Sequence, residues 1–313
     1  MDKTQINIST IQPSIYTIIV TYNGMQWIDR CISSLLESVL PTHILVIDNL
    51  STDGTPDYIE QHFPQVELIR SEQNLGFGKG NNIGMQKALE VAADYVFLLN
   101  QDAWIKPDTL QVLVNAHKSD SEYGVLSPVH LNAQEDGLET KFAEYTGPEN
   151  TRGLLSDLYK NSLRQVYTTK FVNAAAWLIS LECLSKVGGF NPLFPHYGED
   201  EDYINRVHYW DFKVGIVPKA QVTHDSIFSW EKIEHHPVRN VIFNLIPLAN
   251  INHRYRSAWL LFLKKSMDEL STLLLFRKFK KFKTRFKAFW QTLKQYKKIK
   301  DYRQNSLKPK SHI

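Results

Sequence analysis

Two acidic stretches of this chain could do chemistry. The first closes an apolar run: Tyr95–Leu99 reads Tyr-Val-Phe-Leu-Leu and stops abruptly at Asn100-Gln101-Asp102. A run without polar alternation is the pattern of a strand buried on both faces. Ligands of parallel α/β sheets bind at the carboxyl ends of such strands. A carboxylate there suits a divalent cation, which prefers oxygen ligands; it equally suits capping of the helix that Pro107-Asp108 opens. The second stretch is Glu199-Asp200-Glu201-Asp202, four carboxylates in a row. Taken alone they read as first-turn acids that favour the positive end of a helix over 201–211.

The elements that must position these groups alternate. Ile15–Val20 is an unbroken apolar run followed by Thr21-Tyr22-Asn23-Gly24, and a helix comes next with Trp27, Ile28, Cys31, Leu35 and Val39 on one face. His43–Ile47 ends in Asp48-Asn49-Leu50-Ser51-Thr52-Asp53-Gly54; helix 55–62 and strand Val66–Arg70 follow. An Asn/Gly-rich segment, Asn74–Gly84, leads into helix 85–92 and then the strand at 95–99. Strands alternating with helices at this spacing predict a right-handed, mostly parallel sheet with helices on both faces. Tyr22-Asn23, Asp48-Asn49 and Asn100-Gln101-Asp102 should then share one rim as a polar cleft. A dinucleotide fold would carry Gly-x-Gly-x-x-Gly after the first strand, and a phosphate-binding P-loop would end in Lys-Ser/Thr. Neither is present.

Further along, 123–130 reads as another strand and 131–170 as a polar, irregular stretch. Phe171–Ser180 is apolar with small residues, suited to a wall close to a ligand, and Leu181–Val187 gives a short helix stopped by Gly188-Gly189. Val214–Val217 is a further strand, with His224 beyond it. A lone histidine there reads as a surface residue.

At 313 residues, 43% hydrophobic and 12% aromatic, the chain can bury a full core. Cys31 and Cys183 make no metal-ligand pair and suit a reducing cytosol. The N-terminus carries no apolar signal region, and no run of about 18 apolar residues is present, so no membrane span is expected. The net charge of +3 conceals a division: residues 264–313 carry 16 Lys/Arg against 3 Asp/Glu, and the remainder 20 against 30. An acidic body with a basic tail argues against nucleic acid as a partner and for an anionic surface.

In order along the chain, Ile18–Asn23, Val46–Gly54, Asn74–Gly84, Leu98–Asp102 and Tyr197–Arg206 resemble the family 2 glycosyltransferases, including the rhamnosyltransferases of bacterial polysaccharide assembly. Individually the blocks are weak signals, and five in family order are a strong one. The resemblance covers roughly residues 15–225 and implies the GT-A α/β fold of nucleotide-sugar transferases. It implies a catalytic domain over 1–235, with a nucleotide-sugar half at about 15–120 and an acceptor half at about 121–235, and a basic helical segment over 236–313. It implies transfer of a sugar, with inversion, from a nucleotide-diphospho-sugar to a hydroxyl of a glycan or lipid-linked acceptor. The leading donor is dTDP-rhamnose and UDP-hexoses follow. A Mg²⁺ or Mn²⁺ is the expected cofactor.

Residue by residue, the resemblance gives Asp102 and His224 to the metal, with His235 and His236 as the other histidine candidates. Tyr22 would stack on the nucleobase and Asp48 would accept its ring N–H. Thr21, Asn23, Asn49, Asp53, Asn74, Gly76, Phe77, Asn82 and Asn100 would complete the donor pocket. Asn100 departs from the family's Asp-x-Asp pattern and leaves one charge fewer at the metal. Asp200 matches the catalytic base, and Glu199 would orient it or hold the acceptor. Trp177, Tyr197 and Asp202 fall on the acceptor side, with Asp202 and Arg206 supporting the loop. A nucleotidyltransferase and a non-catalytic nucleotide-sugar-binding protein are the other classes such a sheet admits. Release of a nucleoside diphosphate separates the transferase from them.

The tail has its own pattern. Phe276, Phe279, Phe282, Phe286, Phe289 with Trp290, Leu293 and Tyr296 recur every three or four residues, and Arg277 to Lys298 includes ten Lys/Arg. This predicts one helix with an aromatic stripe, lying on the inner face of a cell membrane or packing on the protein's own core or a second subunit.

Overall fold

The computed structural model describes residues 12–195, 197–226 and 239–309. His235 and His236 lie outside the described residues. The first half alternates as expected: β1 (Ile15–Thr21), α1 (Ile28–Leu36), β2 (His43–Asp48), α2 (Thr55–His62), β3 (Glu67–Arg70), α3 (Gly76–Glu90) and β4 (Tyr95–Asn100). Then come β5 (Ala103–Ile105), α4 (Thr109–Ser119), β6 (Tyr123–Leu131), α5 (Thr140–Tyr145), α6 (Leu154–Tyr159), β7 (Tyr167–Thr168) and β8 (Ala176–Ser180). α7 (Leu181–Val187), α8 (Glu199–Tyr209) and β9 (Lys213–His224) follow. Beyond the gap lie α9 (Arg239–Ala249), α10 (Tyr255–Leu275), α11 (Phe279–Lys294) and α12 (Tyr296–Ser306).

The strands form one sheet in the order β3-β2-β1-β4-β8-β6-β9-β5, with β7 also on β9. β1 to β4 are mutually parallel where they pair. The sheet is mixed beyond them, because β8 runs antiparallel to both β4 and β6. Successive strand residues point to opposite faces. Ile19, Val46, Phe97 and Leu99 therefore pack one core beneath α1 and α4, while Ile18, Leu45, Val96 and Leu98 pack the other beneath α3, α7 and α8.

Helix α3 starts nine residues before the position that the Asn/Gly-rich sequence suggested. Glycine is a poor helix former by about 1 kcal/mol, and here it is retained for packing. A Cβ on Gly80 would stand 2.9 Å from Val20, and one on Gly84 would stand 2.7 Å from Ile18. Side chains at these positions would push the helix off β1. The irregular stretch 131–170 holds α5, α6 and β7, stitched by polar side chains such as Asn150, whose Nδ2 reaches Tyr145, Thr169 and Phe171.

The tail is not one helix. α11 begins at Phe279 and α12 at Tyr296, so the expected stripe is divided. Phe289 and Leu293 pack against a third cluster that includes Ile242, Leu245, Leu248, Trp259 and Phe262, and Phe194 joins it from the loop before α8. No helix among the described residues is long and apolar enough to cross a membrane.

Candidate active site

The carboxyl ends of β1, β2 and β4 converge as the parallel topology requires. Asn100 ends β4, and a tight turn through Gln101 and Asp102 leads into β5. That strand pairs antiparallel with the end of β9, with Ala103 opposite His224. Asp102, one residue before Ala103, lies opposite Asp225, whose N–H its carbonyl accepts at 2.9 Å, and its side chain reaches diagonally to His224. His224 Nε2 lies 3.4 Å from Asp102 Oδ1 and 3.4 Å from Asn100 Nδ2. Burial favours the neutral ring, but the Asp102 carboxylate outweighs it and raises the imidazole above its ordinary pKa.

Two ligands of one cation, each about 2.1 Å from it and at right angles, stand about 3 Å apart. The Asp102–His224 gap is close to that, and a cation could take the place of the shared proton. Asn100 Oδ1 is buried without a partner. A half-turn of its amide would offer the oxygen to the same place, since Asn carries both donor and acceptor. Among the described residues no third His, Cys, Asp or Glu joins the pair. The donor set therefore fits a cation that draws its remaining ligands from substrate oxygens and water.

On β2, Asp48 is 2% exposed. Its Oδ2 accepts the Ser51 backbone N–H at 3.0 Å, and its Oδ1 is buried with no partner. An unused buried carboxylate oxygen is costly unless something donates to it, which suits an incoming ring N–H. Tyr22, half exposed, stands on the neighbouring strand end. Gln101 clamps it: Oε1 accepts from Tyr22 N at 2.9 Å and Thr21 Oγ1 at 2.7 Å, while Nε2 donates to the Tyr22 carbonyl.

Several expected donor-pocket residues are occupied in holding this rim together. Asn23 Oδ1 accepts from Thr52 N. Asp53 accepts from Met25 N and Thr55. Burial opposes ionisation of Asp53, but those bonds outweigh it and lower its pKa. Asn49 bridges to Leu75 N and the Gly76 carbonyl, and Asn74 turns the chain by accepting from Gly76 N. Gly76 has φ +76°, and a Cβ there would meet the Pro195 carbonyl at 2.8 Å. Asn82 makes a two-bond pair with the Phe190 backbone, and Phe77 packs on the Phe190 ring. The start of α3 is thereby tied to the loop that delivers the acidic cluster.

That cluster opens α8 after two left-handed residues, Tyr197 at φ 65° and Gly198 at φ 81°. The helix begins at Glu199, two residues earlier than expected. Glu199 Oε2 is buried with no partner. The Asp200 carboxylate accepts the Glu201 N–H at 2.8 Å and the Ala174 backbone N–H. Burial raises the pKa of both acids, and the Asp200 charge raises Glu199 further. Asp200 also approaches the Asn100–Asp102 rim: the Ala174 backbone N–H stabilises its carboxylate, and the next residue's carbonyl accepts the Asn100 N–H at 2.9 Å. The lead-in to β8 thus lies between Asn100 and Asp200.

Two acceptor-side expectations are corrected. The Trp177 ring is fully buried, packed among Phe190 and Tyr203 in the core under α8, so no substrate can touch it. Asp202 is also buried; it pairs with Arg206 at 2.9 Å and accepts from Asn191 Nδ2 and the Tyr302 hydroxyl. It props the loop, as the Arg206 bonds to the Val187 and Gly189 carbonyls do. Tyr197 remains exposed at the mouth of the loop. Tyr145 was not anticipated. Its ring packs edge-on against Phe171 at 5.1 Å, and burial, with a further contribution from the Asp200 charge, raises its hydroxyl's pKa. Nothing in the 131–170 sequence singles it out, because its position depends on packing against Phe171, a residue far along the chain.

A nucleotide-sugar fold with carboxylates at its strand ends defines a class, the GT-A glycosyltransferases. Residues 16–181 match Glycosyl transferase family 2, and the chain belongs to that family. It is 27% identical over 235 residues to an N-acetylglucosaminyl-diphospho-decaprenol L-rhamnosyltransferase of Mycobacterium tuberculosis, covering 68% of this chain and 76% of that protein. It is 23% identical over 215 residues to dTDP-rhamnosyl transferase RfbF of Shigella flexneri, covering 67% and 69%. S. aureus TarS 1-349 in complex with UDP-GlcNAc shares the fold at a TM-score of 0.55 and 17% identity, over 78% of this chain and 69% of that one. GalNAc-T7 with UDP, GalNAc and Mn²⁺ does so at 0.56 and 17%, over 69% of this chain and 44% of that one. The chain is a glycosyltransferase.

Proposed function

We propose that this enzyme transfers a deoxyhexose, rhamnose from dTDP-rhamnose, to a hydroxyl of a glycan acceptor carried on a lipid, with inversion at the anomeric carbon. The observation that carries the reaction is the pair of groups flanking the Ala174–Ala175 lead-in to β8: Ala175 holds Asn100, beside the Asp102–His224 pair, and Ala174 neighbours Asp200. The two rhamnosyltransferase relatives support the sugar, and the decaprenol-linked substrate in one relative's name supports the acceptor class.

Asp48 Oδ1 accepts the nucleobase N–H while Tyr22 covers the ring. A Mg²⁺ or Mn²⁺ held by Asp102 and His224 would offset the charge that develops on the departing diphosphate. Asp200 takes the proton of the acceptor hydroxyl as its oxygen attacks, a contribution of about 10²–10⁴-fold. Burial raises the basicity of Asp200, and its charge in turn holds the neighbouring Glu199 in the neutral form to higher pH. The bond to the diphosphate oxygen breaks as the bond to the acceptor oxygen forms, so no covalent enzyme intermediate is needed.

Turnover of purified protein on a panel of nucleotide sugars tests this. Nucleoside diphosphate release fastest with dTDP-rhamnose is the expected result. Turnover confined to UDP-hexoses would overturn the sugar assignment, and binding without release would overturn the reaction.

A further inference from the structure

The C-terminal helices bury one apolar face and leave another bare. Phe262 of α10 stacks on Phe289 of α11 at 5.6 Å, and this contact belongs to the interior of the helical segment. On the outside, Leu274, Leu275 and Phe276 form the corner where α10 turns into α11. Phe279, Phe286 and Trp290 continue from it along α11, at spacings of seven and four that hold to one side of the helix. Phe276 is 65% exposed and Trp290 51%. Phe282 stacks on Phe286 at 5.8 Å, and Phe286 meets Trp290 edge-on at 6.2 Å, so the aromatics form a continuous ridge. Exposed apolar residues scattered singly need no explanation, whereas a contiguous aromatic ridge marks an interaction surface.

The charges around the ridge indicate what it meets. Arg277, Lys278, Lys280, Lys281, Lys283 and Lys287 alternate with the ridge residues, and all are exposed. The ion pair this hairpin makes among the described residues is Arg285 with Glu269, which ties α11 to α10 and leaves those six cations for solvent. A ridge of aromatics and leucines flanked by cations matches the interface of an anionic bilayer, where rings sit at headgroup depth and lysines meet lipid phosphates. A protein partner would have to match both a greasy ridge and six flexible cations. A bilayer matches them without any specific fit.

We propose that the α10–α11 corner and the outer face of α11 dock this glycosyltransferase on an anionic lipid bilayer, with Phe276, Phe279, Phe286 and Trp290 entering the headgroup layer. The tail therefore does both things its sequence pattern allowed. Phe289 and Leu293 pack inward, and the neighbouring positions face the lipid. The segment is anchored to the catalytic loop, because α9 carries Ile242 and Ile246 against Gly198. A docked tail thus holds the acidic cluster at a set height above the surface.

Co-sedimentation of the full chain with phosphatidylglycerol/phosphatidylcholine vesicles, and with phosphatidylcholine vesicles alone, tests the proposal at low and high salt. The expected result is binding to the anionic vesicles that weakens with salt. Two variants divide the contributions: Phe279→Ser with Phe286→Ser, and Lys280→Gln with Lys281→Gln and Lys283→Gln. Each should weaken partition at least about ten-fold while far-UV circular dichroism and turnover of a soluble donor stay unchanged. Wild-type protein that ignores anionic vesicles at low salt would overturn the proposal. So would variants that bind as wild type does. A dimer in solution that the Phe→Ser variant converts to monomer, without vesicle binding by either, would assign the ridge to a second copy instead.

Discussion

The hydroxyl of Tyr302, on the last helix, donates to Asp202 Oδ2 at 2.8 Å, one hundred residues back along the chain. Asp202 in turn holds Arg206, both are buried, and Arg206 grips the carbonyls of Val187 and Gly189. The C-terminal helix thus completes the support behind the turn that carries Glu199 and Asp200. Tyr302→Phe removes one hydrogen bond to a charged group, worth about 1.5–3 kcal/mol. Asp202→Ala strands a buried guanidinium and should cost about 3–5 kcal/mol. Urea unfolding measures both, and equal losses for the two variants would contradict this ordering.

The acid pair predicts the shape of the pH profile. Burial raises the pKa of both Glu199 and Asp200, and the base must be deprotonated to work. Activity should therefore rise with pH through a limb above the range of a solvent-exposed carboxylate. Glu199 is pushed up further than Asp200, by burial and then by the Asp200 charge, so it is still neutral when Asp200 loses its proton. Glu199→Gln keeps a neutral neighbour and should leave the limb in place, and a limb that moves to lower pH would show that Glu199 ionises before the base does. Asp200→Asn should abolish turnover while donor binding persists.

Asp102 and His224 make a separate prediction. Asp102→Ala should lower turnover by at least about 10²-fold, as expected when the main charge-offsetting group is lost. In wild-type protein, calorimetric Mn²⁺ binding should tighten as pH rises, because a cation must displace the proton that Asp102 holds on the imidazole. Activity that survives both chelator and Asp102→Ala would exclude a metal-dependent reaction at this pair.

The unused oxygen of Asp48 bears on donor affinity. Asp48→Asn keeps the shape but replaces one acceptor oxygen with a donor. The donor KM should rise by about ten-fold or more, with kcat little changed, as for loss of a charge-assisted hydrogen bond of about 1.5–3 kcal/mol. A kcat collapse at unchanged KM would place Asp48 in the chemistry instead of the binding.

Trp177 is predicted to matter for stability alone. Trp177→Ala in the packed core should cost about 3–5 kcal/mol in chemical denaturation. Trp177→Phe, which keeps an aromatic ring there, should fold and leave the acceptor KM unchanged. A change in that KM at intact stability would return the residue to the acceptor site.

The alternating β/α order, the rim formed by Tyr22, Asp48 and Asp102, and the acidic start of α8 are written locally in the sequence. Apolar runs, the breaks between them and the acids beside a helix start depend on neighbours within a few residues. Even so, local reading misplaced the start of α3, because Gly80 and Gly84 are poor helix formers kept for their contact with Val20 and Ile18. It also took Trp177 for a wall residue, since a small-residue strand looks the same whether its large neighbour faces a ligand or the core. The tertiary structure decided the contacts between distant segments. The β5–β9 register brings Asp102 to His224, and packing of α5 brings Tyr145 onto Phe171. α12 delivers Tyr302 to Asp202. In the tail, a period of three or four residues defines a stripe but not which half of it is covered. That depended on where α10 turns into α11, a turn that buries Phe289 against Phe262 and leaves Phe286 and Trp290 bare.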